Sequence, residues 1–137
     1  MLPTLLVVDD DDDLRGAIFA LLQEEANVRV AAVANGRQAL DLLRGGLRPC
    51  VILLDLRMPE MGGVEFRREQ LASPELADIP VVVLTGDPRE IEAVKELGVS
   101  YVLPKPLNLH QLLEVTARFC ADVDRLEFPP RPSAAQK

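Results

Sequence analysis

Short apolar runs alternate with amphipathic stretches five times along the chain, the pattern of a parallel sheet flanked by helices. The runs Leu5–Val8, Val28–Val33, Val51–Leu54, Ile79–Leu84 and Val99–Leu103 predict five strands. Between them, apolar residues recur at helical spacing. Leu14, Ala17, Ile18, Leu21 and Leu22 mark a first helix from Asp13 or Leu14 to Glu25, with Asp13 as its expected N-cap. Asn35-Gly36 opens a second helix carrying Ala39, Leu40, Leu42 and Leu43, which Gly45-Gly46 stops. A shaped turn from Arg57 to Gly63 precedes a third helix over Val64–Leu71. A short fourth helix runs over Arg89–Leu97. The last begins near Leu107 or Asn108 and reaches about Asp124, with Leu109, Leu112, Leu113, Val115 and Phe119 facing inward.

The 137 residues suit one α/β domain over 1–125, followed by a proline-rich tail or linker over 126–137. With 48 % hydrophobic and 27 % charged residues the composition is that of an ordinary globular domain. A net charge of −7 and the lack of a basic stripe argue against nucleic acid as a direct partner. No stretch approaches membrane-spanning length and Asp9–Asp13 interrupts any signal-like start, so no membrane partner and a cytoplasmic location are expected. Cys50 and Cys120 lie far apart without metal-ligand spacing and are expected as reduced thiols.

The polar residues that end the apolar runs carry the chemistry. Parallel strands discharge their side chains into a crevice at their carboxyl ends, where α/β folds bind ligands. Asp9-Asp10 closes the first run, Asp55 the third, Thr85-Gly86 the fourth, and Lys105 lies between two prolines after the fifth. Three acids, a hydroxyl and an ammonium beside strand ends make a site for a divalent cation and a phosphoryl group. His110, the single histidine, falls in the last helix and is expected at the surface.

Leu5–Asp10, Leu53–Pro59 followed by Gly62-Gly63, Leu84–Gly86 and Lys105-Pro106 occur in order, at intervals that resemble the receiver domain of bacterial two-component response regulators, over roughly residues 3–120. The resemblance implies a doubly wound (βα)5 parallel sheet of flavodoxin-like order 2-1-3-4-5, an order for which a chemotaxis receiver is a known example. It implies Asp55 as phosphoacceptor from a sensor histidine kinase or histidine phosphotransfer protein. Mg²⁺, with Mn²⁺ able to substitute, would be held by Asp10, Asp55 and the backbone carbonyl of Arg57, and through water by Asp9. Thr85, with Gly86, and Lys105 would contact the phosphoryl oxygens, and Lys105-Pro106 would be a cis peptide. The output would be binding of a downstream protein through the face of helix 4, strand 5 and helix 5, with homodimer formation left open. The chain would then be no enzyme beyond its own phosphorylation and slow autodephosphorylation.

Two departures from the family pattern stand out. The aromatic switch position three residues before the lysine holds Val102, and Tyr101 sits one residue earlier. Alternation puts the two on opposite faces, so either Tyr101 packs against a helix or a bulge restores its place. Arg57 and Asp87 occupy the two positions that line the route of attacking water, and their opposite charges suggest a bridge that slows phosphoryl loss. Competing readings are a receiver-fold scaffold independent of phosphorylation and an aspartate-nucleophile phosphatase. The phosphatase is disfavoured by Arg57 where a second acid is needed. A flavin-binding protein is also disfavoured, because no hydroxyl- and glycine-rich phosphate loop follows the first strand.

Overall fold

The computed structural model describes residues 2–121, so Asp124 and the stretch expected as a tail lie outside the described residues. Strands and helices alternate: β1 (Thr4–Val8), α1 (Asp12–Glu25), β2 (Arg29–Val33), α2 (Gly36–Arg44), β3 (Val51–Asp55), α3 (Gly63–Leu71), β4 (Val81–Thr85), α4 (Arg89–Lys95), β5 (Tyr101–Pro104) and α5 (Leu109–Phe119). Every strand pairing is parallel and the order is β2-β1-β3-β4-β5, the flavodoxin-like arrangement.

Alternation along the central strands divides the interior into two cores. Leu6, Val8, Ile52, Leu54, Val81 and Val83 face α2, α3 and α4, meeting Leu40, Leu43, Phe66 and Val94. Leu5, Val7, Leu53, Val82, Leu84 and Leu103 face the other way, toward Ile18 and Leu22 of α1 and Leu112 and Val115 of α5. Because β1 and β3 are buried on both faces, they read as continuous apolar runs rather than alternating ones. The chain turns to opposite sides of the sheet after β1 and after β3, which opens a crevice between their carboxyl ends.

Several local expectations are corrected. Asp11, not Asp13, caps α1, accepting from the amides of Asp13 and Leu14 at 2.9 and 3.1 Å. In a run of five acids, the capping role falls to the one directly before the first helical residue, where the backbone is still extended. Strand β4 starts at Val81 rather than Ile79, since Pro80 has no N–H to give a ladder. Helix α5 ends at Phe119, and Cys120 leaves helical geometry there. Leu109, expected inward, is exposed because it sits at the outer edge of its helix's apolar stripe.

Cys50 and Cys120 are not separate thiols but are joined in a disulfide, their Cα atoms 5.3 Å apart across 70 residues of sequence. The antiparallel return of α5 brings its end to the start of β3, a proximity that spacing alone does not reveal.

Candidate functional site

Asp9 and Asp55 meet because β1 and β3 are neighbours in register, Val8 paired with Leu54. Asp9 is fully buried and Asp55 nearly so, whereas Asp10 is exposed. Carboxylate oxygens of Asp9, Asp10 and Asp55 all lie within 4.8 Å of one another. Lys105 reaches over from the end of β5, its Nζ 3.0 Å from Asp9 Oδ2 and 3.3 Å from Asp55 Oδ1. The Lys105 amide donates to the Thr85 carbonyl at 2.8 Å, tying the ends of β4 and β5 together. The Lys105–Pro106 bond is cis.

The charges in this cluster compete. Burial, then the nearby Asp9 charge, raises the pKa of Asp55 above the ordinary carboxylate value, while Lys105 and the Arg57 amide pull it down without prevailing. For Lys105, burial works against the charge, but the close contact with the Asp9 carboxylate and the charges of Asp55 and Asp9 outweigh it, and its pKa is raised. Asp9 Oδ1 accepts from the Asp11 amide at 2.9 Å. Its Oδ2 stands beside the Lys105 ammonium but at angles that give no hydrogen bond, so among the described residues this buried oxygen has no directed donor. An all-oxygen set of three acids with one such oxygen suits a small hard divalent cation.

The backbone around Asp55 is shaped by close approach. A Cβ on Gly63 would stand 2.4 Å from the Asp55 carbonyl oxygen and 2.9 Å from Leu56 Cα, so only glycine lets α3 begin against the end of β3. In the shaped turn from Arg57 to Gly63, which holds two adjacent glycines, the left-handed residue is Glu60, at φ 66°. The glycines supply room, and Glu60 supplies the bend.

Thr85 is buried at the end of β4. The Asp87 amide donates to its Oγ1 at 3.1 Å, and its hydroxyl donates to the Glu90 carboxylate. Arg57 spans the mouth of the site: its Nη2 is 3.0 Å from Asp87 Oδ2 and its Nε 2.6 Å from Glu90 Oε2. The Arg57–Asp87 pair expected from sequence is thus present, though Asp87 is also gripped by Arg89 through two contacts of 3.0 and 2.9 Å. Hydrogen bonds from Arg89 lower the pKa of Asp87, and the hydrogen bond to Glu90 raises that of Arg57. Asp55, Arg57, Gly86, Asp87, Glu90 and Lys105 line a cleft of about 350 Å³. Sequence reasoning missed Glu90, whose only signal is a place in the first turn of the helix after Thr85. A larger groove, about 540 Å³, runs between the end of α1 and α5, away from the acids.

At the switch position, β4 and β5 pair without a bulge, Val82 with Tyr101 and Val83 with Val102. Val102 packs on the core beneath α4, while Tyr101, on the opposite face, is 43 % exposed. The bulge alternative is therefore excluded, and Tyr101 stays on the face that alternation gives it, at the surface.

A family model described as the response regulator receiver domain matches residues 5–117. The polar-differentiation response regulator DivK of Brucella anthropi is 29 % identical over 126 residues, 88 % of this chain and 99 % of that one. Some relatives are longer, and the chain spans 55 % and 38 % of two of them. Among solved structures, the chemotaxis response regulator CheY4 of Vibrio cholerae superposes with a TM-score of 0.78 at 30 % identity, covering 87 % of this chain and 99 % of that one. The receiver domain of the sensor histidine kinase PA1611 of Pseudomonas aeruginosa, described with a magnesium ion in its active-site cleft, gives 0.78 at 27 % identity, covering 87 % and 98 %.

Proposed function

The chain belongs to the response regulator receiver family, and from that premise we propose that Asp55 accepts a phosphoryl group from a partner's phosphohistidine. The observation that carries this reading is the Lys105 ammonium held between Asp9 and Asp55 at 3.0 and 3.3 Å. In transfer, an Asp55 oxygen forms a P–O bond as the P–N bond of the donor breaks, and the imidazole nitrogen leaves with the electron pair. Such transfers need positioning and charge neutralisation more than covalent help. Asp9, Asp10, Asp55 and the Arg57 carbonyl would hold Mg²⁺ (or Mn²⁺), which when bound offsets the charge between carboxylates and phosphoryl oxygens. Lys105 then exchanges Asp55 for a phosphoryl oxygen, the Gly86 turn leaves room for the group, and the Thr85 hydroxyl turns toward it. The reaction is a single capture followed by slow hydrolysis, not turnover of a substrate.

The output is a protein contact on the α4–β5–α5 face, where Tyr101 and Leu109 are exposed. Phosphorylation shifts the population between two forms of that surface. Incubation with labelled acetyl phosphate and Mg²⁺ tests the proposal. Wild type takes up label and Asp55→Asn does not. An unlabelled wild type would mean that the chain acts as a phosphorylation-independent scaffold.

A further inference from the structure

Resting on that reading, we propose that Glu90 is a latch on Thr85: its carboxylate holds the threonine hydroxyl away from the phosphoryl site, and Arg57 holds the carboxylate in place. Three observations converge. Thr85 has one hydroxyl proton. The Asp87 amide already donates to the same oxygen, so that proton has two acceptors in reach, the Asp87 carbonyl at 3.3 Å and the Glu90 carboxylate, and the carboxylate is both the nearer and the charged one. The second oxygen of Glu90 accepts from Arg57 Nε at 2.6 Å. A carboxylate pinned by both oxygens is a preorganised acceptor, and a bond to it is stronger than one between neutral groups.

The consequence is a competition for one proton. Thr85 cannot donate to Glu90 and to a phosphoryl oxygen at once, so the phosphorylated form must break the latch. Glu90 lines the same cleft as Asp55 and Lys105, and its charge adds to the cost of placing a dianion there. Arg57 has the reverse role. Through its Glu90 contact it stabilises the resting arrangement, and when the latch opens it gives up Glu90 and keeps its separate contact with Asp87. Glu90 is thus a positioning residue that acts through Thr85, and it biases the chain toward its unphosphorylated form. Phosphoryl capture here has to overcome a built-in acceptor rather than only a vacant surface.

The test is calorimetric titration of the full chain with beryllofluoride in Mg²⁺, comparing wild type, Glu90→Ala, Glu90→Gln and Asp55→Asn, with Glu90→Ala also made in a Thr85→Ala background. Loss of one charge-assisted bond predicts about tenfold tighter binding for Glu90→Ala. Glu90→Gln, which keeps an acceptor, lies closer to wild type. In the Thr85→Ala background the gain falls below about twofold, the signature of coupled residues. Unchanged binding in Glu90→Ala, with wild type binding and Asp55→Asn not, overturns the latch and spares the receiver reading. A gain that persists without Thr85, or that Gln matches, makes Glu90 a diffuse charge and also overturns it. If wild type does not bind, both readings fall.

Discussion

Leu53 and Asp55 stand two residues apart on the same strand, and they are built on opposite principles. Leu53 is fully buried among apolar neighbours from β1, β4, α1 and α5. Asp55, also buried, faces Asp9 across a gap that one lysine must serve. The strand interior is packed for stability, while its end keeps like charges together against it. At the opposite end of the sheet, Cys50 and Cys120 fasten α5 to the start of β3. The comparison teaches that the rigid body and the reactive rim are separate provisions of one short segment.

That contrast can be broken by substitution. The largest effect belongs to the interior: Leu53→Ala is expected to cost about 2–5 kcal/mol in chemical denaturation, because the central strand cannot collapse into the cavity. Reducing the Cys50–Cys120 bond comes next. Releasing a loop of this length lowers stability by about 2–4 kcal/mol, read as the difference between melts with and without reductant. Identical melts would mean that the covalent clasp adds nothing.

At the rim the sign reverses. The raised pKa of Asp55 means that its ionised form disfavours the fold, so its favourable contribution is full in acid and lost as pH rises through the folded value. Asp55→Asn in chelator-treated protein is therefore expected to raise Tm at neutral pH, with the gain shrinking as pH falls below the folded pKa. A lower neutral Tm would show that the carboxylate serves stability after all. The smallest effect on stability is at Arg57, whose side chain is 71 % exposed. Arg57→Ala leaves the melt unchanged but shortens the phosphoryl half-life, since the bridge to Asp87 covers the approach of water. An unchanged half-life would remove that role.

Much of this was legible in the residues. Asp9, Asp55, Thr85 and Lys105 each follow an apolar run, and a parallel sheet must bring such ends together. The two-sided burial of β1 and β3 shows in their unbroken apolar letters. Glu90 was hidden because its partnership with Thr85 depends on how the first turn of α4 is aimed, and helical spacing does not encode that. The cysteine pair was hidden because a 70-residue separation says nothing of where a helix ends. The bend at Glu60 escaped notice since glycines beside it looked sufficient. Their requirement proved to be volume rather than dihedral freedom.

The bare Cα of Gly63 has a consequence for anyone who would transplant this chemistry. Its backbone lies against the carbonyl of Asp55, the proposed phosphoacceptor, so the aspartate cannot be grafted onto another scaffold as a side chain alone. A host must also supply the tight shoulder on which it leans, or the carboxylate will point elsewhere.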